Sequence, residues 1–491
     1  MQKAKEMPGS FQNFINGRWT SAAGGKKFSS INPADTRDVI GEFASADLAD
    51  VRRAIDAAHA ALPQWRQLSG FARGEFLRKA ADILESKLGD VALAMVRENG
   101  KTIAEARGET GRGVGLLRYY AAEGVRSIGE VVPSVNPNTL IYTTRAPLGV
   151  VSIITPWNFP VAIPIWKIAP ALIYGNAVVF KPASITPHCG VLMAQIFEQA
   201  GLPAGVLNLI TGGGGAIGAE MIQNPKVHGV SFTGSNSVGR RIANWASERG
   251  VKCQLEMGGK NPVLVLPDCD LEQATTLTVR GAFGYAGQKC TATSRAIVLD
   301  SVYETFVQKL VEKTRSLKLG IGKDEATFVP PVVSEEQHKG ILAAIEKGKQ
   351  EAKLLCGGGV PDGDSFANGY FIEPTIFGDV PPDSQLSQEE IFGPVLSLMR
   401  ARDLDHAIQL ANNVRYGLSA SIFTRDLNAI QEYVNRIEAG IVKVNGETAG
   451  VELQVPFGGM KESSSHSREQ GRAAMEFFTS TKTVYMDRAG L

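Results

Sequence analysis

The sequence predicts an α/β fold with parallel sheets, on three observations. From Gly149 onward, short β-branched runs alternate with helical stretches; a second series of the same kind starts near Pro262; and before both, apolar residues recur at helical spacing. A chain of 491 residues that is 44% hydrophobic can bury more than one core, so these series are read as separate domains.

Between Ser45 and about Arg126, Leu48, Val51, Ile55 and Ala58, then Leu77, Ala80, Ile83 and Leu84, mark amphipathic helices. In the next segment two β-prone runs flank the turn-forming Asn136-Pro137-Asn138 and predict a hairpin. VVSIIT, AVVFKPA, VLNLIT, GVSFT and CQLEM then predict five parallel strands joined by right-handed crossovers, a Rossmann-like sheet that binds ligands at the carboxyl ends of its strands. PVLVLP, RAIVLD, VLSLMR, ASIFT and IVKVN predict the second sheet, and TKTVYM one more short strand. The expected division is 1–126 with 147–258, then 259–459, with 127–146 and 474–491 as a small β unit.

Charge excludes some function classes. Lys plus Arg number 51 against 50 Asp plus Glu, so no overall field draws the chain to nucleic acid or an anionic membrane. The five cysteines are scattered without a C-x-x-C spacing, which fits neither a disulfide framework nor a metal site and points to a reducing cytoplasm. The first residues lack the apolar core of an export signal, and no run approaches the roughly 18 apolar residues of a membrane span.

Four segments stand out: TPWNFP at 155–160, LEMGGKNP at 255–262, GQKC at 287–290 and EEIFGPV at 389–395. In order and spacing they resemble the aldehyde dehydrogenase superfamily over nearly the whole chain. The resemblance implies oxidation of a small aldehyde to a carboxylate. An aldehyde cannot release hydride until a nucleophile makes its carbon tetrahedral, and a thiolate suits that attack. By resemblance Cys290 is the nucleophile, Asn158 and the Cys290 backbone N–H stabilise the oxyanion, and Glu256 is the base that activates water against the thioester. Lys167 and Glu469 match residues of a proton relay.

The resemblance also implies a nicotinamide dinucleotide and a homodimer or homotetramer built through the hairpin and the terminal strand. No G-x-G-x-x-G is present. Instead Gly234 and Ser235 of FTGS match the turn at a helix N-terminus that takes the pyrophosphate. Thr155, Pro156, Trp157, Lys181, Gly214, Glu390 and Phe392 match further cofactor contacts. At Ser184 many NAD-preferring relatives carry a glutamate that would repel a 2′-phosphate. Serine, with Lys181 nearby, therefore implies NADP as the preferred cofactor and NAD as a tolerated one.

Phe159, Trp166 and Phe457 match apolar walls of an aldehyde tunnel. Lys289 is expected either to face that tunnel, where it would meet a substrate carboxylate and favour the Cys290 thiolate, or to turn to solvent. The loop from Thr448 to Gln454 is an alternative carboxylate site. Residues 446–471 look like the members that act on α-ketoglutaric semialdehyde. Succinic or glutaric semialdehyde, or a broad aldehyde range, are the alternatives, and from another class an inactive structural or binding protein. One departure stands out: where many members have S-G-x-G-R-E, this chain runs from Ser463 to Glu469 with serines in place of two glycines.

Overall fold

The computed structural model describes residues 9–488. All ten strands expected in the two parallel series form, in two seven-stranded sheets. In the first, the order is Lys252–Glu256, Val227–Thr233, Val150–Ile154, Ala177–Lys181 and Leu207–Leu209, all parallel, followed by Asn13–Ile15 and Arg18–Thr20 in antiparallel pairing. The chain leaves Val150–Ile154 toward one side of the sheet and returns to its other side at Val227–Thr233. That reversal opens a crevice at the carboxyl ends of these two strands.

The second sheet runs Lys353–Cys356, Thr375–Gly378, Val395–Ala401, Thr293–Leu299, Asn261–Val265, Ser419–Phe423 and Ile441–Val444, parallel except for its first pair. Lys252–Glu256 passes through Met257, Gly258, Gly259 and Lys260 directly into Asn261–Val265. The two sheets are thus joined by the LEMGGKNP segment, and the carboxyl ends of one face the amino ends of the other.

The helices expected before Arg126 are Leu48–Gln67, Gly70–Ser86, Leu88–Asn99 and Ile103–Glu123. Asp47 and Thr102 begin two of them with capping boxes, closed by Asp50 and Glu105. The strands before Ser45, including Lys27–Asn32 paired with Asp35–Ala44, carry no strong alternation and were not foreseen. Helix Ala162–Ile173 is buried on every side, so it packs as a core element with Lys167 as its one charge. The hairpin forms between Val131–Val132 and Thr139–Pro147, and Thr479–Asp487 lies antiparallel along the latter. No helix among the described residues is long and apolar enough to cross a membrane.

Candidate active site

Two cavities meet at Cys290. One, of about 420 Å³, is lined by Pro156, Trp157, Asn158, Gly234, Ser235, Glu390 and Phe392 among others. The second, of about 260 Å³, is lined by Phe159, Trp166, Lys289 and Phe457 together with Arg112, Tyr285 and Gln470. Cys290 lines both.

The chain reaches Cys290 through an unusual turn. Tyr285 and Ala286 are in the left-handed region at φ 60° and 51°, and Gly287 follows at 70°. Left-handed backbone is unfavourable for side-chain-bearing residues and persists only when neighbours hold it. Here the Tyr285 N–H donates to Glu105 Oε1 at 2.7 Å, so the residue that closes a capping box also anchors this turn. Glycine is required at 287, because a Cβ would sit 2.1 Å from Gly393 O. Beyond the turn, Asn261 Nδ2 donates to Cys290 O and to Ala292 O, each at 2.8 Å. The motifs at 255–262, 287–290 and 389–395 therefore fix one another through backbone.

Burial and the charges of Glu390 and Glu256 push the Cys290 thiol up to about 12, although the N–H groups of Thr291 and Cys290 pull the other way. The expected help from Lys289 does not win: the site favours a protonated thiol until a base or a cation acts on it. Lys289 itself is not turned to solvent. It is 7% exposed, with its Nζ 5.2 Å from the Tyr285 ring centre, and its ammonium feels Glu447 and Glu105.

Asn158 is buried, and its Nδ2 donates to Gln288 O at 3.1 Å. Its loop is fastened from behind. Lys101 Nζ donates to Asn158 O at 2.8 Å and pairs with Glu109, whose Oε1 accepts from the N–H groups of Val161 (2.8 Å) and Ala162 (3.0 Å). Glu109 thereby caps helix Ala162–Ile173, which has no side-chain cap of its own.

Glu256 lies outside both cavity linings. Its side chain is buried toward the serine-rich loop, where Ser464 Oγ donates to Oε2 at 2.5 Å while Oε1 has no partner. Burial and the Glu469 charge raise this carboxyl well above the usual range; Ser464, Lys167 and Arg468 oppose them. Despite the lost glycines, Glu469 pairs with Lys167 and accepts from Trp166 Nε1 at 2.8 Å. Lys167 also donates to Ser231 Oγ at 2.9 Å.

The larger cavity fits a dinucleotide on three counts. It opens at the carboxyl ends of Val150–Ile154 and Val227–Thr233, the reversal point of the sheet. Ser235 begins helix Asn236–Arg249 without a side-chain cap bond, leaving the helix's first N–H groups for another acceptor. The hydroxyls of Thr155 and Thr233 are buried without a partner. Glu390 Oε1 accepts from Gly259 N–H at 2.9 Å, and Phe392, left-handed at φ 56°, packs edge-on to Trp157 with ring centres 5.3 Å apart. Thr155, Lys181, Ser184 and Gly214 lie outside this cavity's lining, Thr155 next to the lining residue Pro156 and bonded through its N–H to Lys181 O at 3.1 Å. Ser184 Oγ donates to Gly212 O at 2.8 Å, and burial lowers Lys181 to about 8.

Sequence reasoning missed Arg112, Lys101, Gln470 and Ser464. The last two sit inside the quoted C-terminal segment, where the serine run was itself a signal. Arg112 and Lys101 lie on and before an ordinary surface-layer helix, and nothing local sets them apart.

A half-buried cysteine between a dinucleotide-sized cavity and a narrower, partly aromatic one defines a dehydrogenase acting on a carbonyl through sulfur. The chain belongs to the aldehyde dehydrogenase family, which matches residues 19–484, and it is an oxidoreductase. It is 50% identical over 477 residues to the α-ketoglutaric semialdehyde dehydrogenase of Bacillus subtilis (strain 168), covering 97% of this chain and 98% of that one. It is 44% identical over 472 residues to the 2,5-dioxopentanoate dehydrogenase of Saccharolobus solfataricus, covering 95% and 98%. Among solved structures, betaine aldehyde dehydrogenase from Staphylococcus aureus in complex with NAD+ superposes with a TM-score of 0.95 at 33% identity, covering 98% of this chain and 95% of that chain.

Proposed function

We propose that the chain oxidises α-ketoglutaric semialdehyde to α-ketoglutarate, with NADP preferred and NAD tolerated. The observation that carries the reading is the position of Cys290 on both cavities, so that one sulfur can hold a carbonyl carbon between a substrate and a dinucleotide. The names of the two curated relatives support the substrate.

Cys290 Sγ attacks the aldehyde carbon, and its proton passes to a base; Glu256, raised by burial, is suited to take it. The oxyanion of the thiohemiacetal is met by the Asn158 amide and the Cys290 N–H. The dinucleotide, held at Ser235, Glu390 and Phe392, supplies the hydride acceptor. Glu256 then deprotonates a water that cleaves the thioester on Cys290, and its unpartnered Oε1 is the oxygen available for that proton. Lys167 and Glu469 lie behind it to pass each proton on, the one from Cys290 leaving before the water is met, so that Glu256 is a carboxylate again for the second step. Phe159, Trp166 and Phe457 desolvate the carbon chain, and two cations on the cavity wall, Lys289 and Arg112, favour an anionic far end.

An absorbance assay of NADPH or NADH formation across an aldehyde panel tests the reading. α-Ketoglutaric semialdehyde should exceed pentanal in kcat/KM, with succinic and glutaric semialdehyde between them. A preference for pentanal would overturn the substrate assignment. The five unpaired cysteines accord with a cytoplasmic setting, and the three-stranded sheet of Thr479–Asp487, Thr139–Pro147 and Val131–Val132 is the element through which we place a homodimer or homotetramer.

A further inference from the structure

We propose that Arg112 and Gln470 form the subsite that holds the far carboxylate of the substrate, in preference to Lys289. The inference rests on the semialdehyde reading above and names the residues that select it.

Both side chains line the smaller cavity. The Arg112 guanidinium donates only to neutral oxygens, Val451 O and Gln470 Oε1, the latter at 2.9 Å. Of the carboxylates that act on it through space, Glu452 is the stronger but is exposed and forms no ion pair with it, and Glu109 is already paired with Lys101. Gln470 is fully buried, and its Nε2 has no hydrogen-bond partner. The amide orientation is dictated: guanidinium is a donor only, so the atom facing it must be the oxygen, which leaves the NH2 group as the unsatisfied end. A buried donor without an acceptor is destabilising, and an anionic ligand would relieve it.

The backbone supports the same conclusion. Gln470 is left-handed at φ 59°, a conformation unfavourable for any residue but glycine. It is pinned there between Glu469, which is bound to Lys167 and Trp166, and Gly471, whose Cβ would lie 2.4 Å from Gln454 O. A guanidinium fork next to a free amide NH2 is a match for the planar oxygens of a carboxylate.

Lys289 lines the same cavity, but its ammonium faces Glu447 and Glu105, and Glu447 is also bound to Arg280 at 2.8 Å. Arg112 differs in its neighbours: both of its hydrogen bonds go to neutral oxygens, one of them on the amide whose NH2 is unsatisfied, and Glu452 and Glu109 reach it only through space.

The test compares kcat/KM for α-ketoglutaric semialdehyde and pentanal in the wild type, Arg112→Met, Gln470→Glu and Lys289→Met. Arg112→Met should lose about tenfold to a hundredfold on the acid, the range of one charge-assisted contact, and far less on pentanal. Gln470→Glu should do the same by pairing with Arg112 and repelling the carboxylate, and it carries the test if Arg112→Met does not fold. A wild type that does not favour the acid overturns the semialdehyde reading itself. A wild type that favours it, with equal losses on both substrates in both variants, overturns the subsite, as does a selective loss confined to Lys289→Met.

Discussion

Ser464 Oγ donates to Glu256 Oε2 at 2.5 Å, so a serine from the loop that departs from the family pattern binds the carboxylate proposed as the base. The same hydroxyl accepts from Gly459 N–H at 2.6 Å, which orients it. The charged groups facing Glu256 are Glu469, which raises its pKa, and Lys167 and Arg468, which lower it. Ser464 stabilises the charged form. Ser464→Ala should therefore raise the Glu256 pKa further and move the ascending limb of the kcat–pH profile to higher pH, by about one unit for a hydrogen bond of roughly 1.4 kcal/mol. A limb that stays in place or moves down would show that this contact does not govern the base.

Cys290→Ala should abolish aldehyde oxidation while dinucleotide binding, measured by fluorescence titration, remains near wild type, because the cavity that fits the cofactor is lined mostly by other residues. Glu256→Gln should form the acyl-enzyme and release it slowly, giving a burst followed by a low steady rate in stopped-flow absorbance. Steady turnover by the alanine variant would remove the proposed mechanism.

Both parallel series were legible because each strand is a short β-branched run set off by helical spacing. The site was legible only where resemblance supplied roles. Cys290, Asn158 and Phe392 come together as expected, yet nothing in one dimension says that the amino ends of the second sheet face the carboxyl ends of the first. Side-chain direction was also hidden. Lys289 could have faced solvent or cavity, and Glu256 sits at the end of a strand with its carboxylate turned to Ser464, a contact 208 residues away in sequence. Arg112 was invisible for the same reason: its partners, Val451 and Gln470, belong to distant loops.

Cofactor choice can be tested at Ser184. Its hydroxyl is occupied by Gly212 O at 2.8 Å, so it presents no negative charge near Lys181. The wild type should show a higher kcat/KM for NADP than for NAD. Ser184→Glu should reverse the ratio by at least about tenfold, roughly 1.4 kcal/mol, through repulsion of the 2′-phosphate. A wild type favouring NAD tenfold would contradict the reading of Ser184.

The three-stranded sheet exposes Val131 at 75%, Tyr485 at 66% and Met486 at 53%, apolar area that a second copy would cover. Light scattering at micromolar concentration should report a dimer or tetramer. A monomer would show that this sheet stands alone in solution.

The last prediction concerns what holds Asn158 in place. Lys101 is 3% exposed and Glu109 2%, so their ion pair is removed from water, and its net value to stability is small because desolvation offsets the attraction. Its geometric effect is larger. Lys101 Nζ fixes Asn158 O at 2.8 Å, Glu109 fixes the N–H groups of Val161 and Ala162, and Asn99 Nδ2 holds Trp157 O at 2.9 Å. Lys101→Met alone should cost about 3–5 kcal/mol, because Glu109 would be left buried without its cation. Lys101→Met with Glu109→Gln should restore most of the melting temperature, since no lone charge remains and a glutamine oxygen can still accept from the helix. The double variant should nonetheless show kcat reduced by about tenfold or more, because a misplacement of about 1 Å in a group that stabilises the oxyanion is costly to rate. Its KM for the dinucleotide should stay within about threefold of wild type, on the scale of a few tenths of a kcal/mol. Wild-type kcat in the stable double variant would show that Asn158 is positioned without Lys101, and a rise in cofactor KM matching the fall in kcat would mean that the whole 155–161 loop had moved rather than the Asn158 amide.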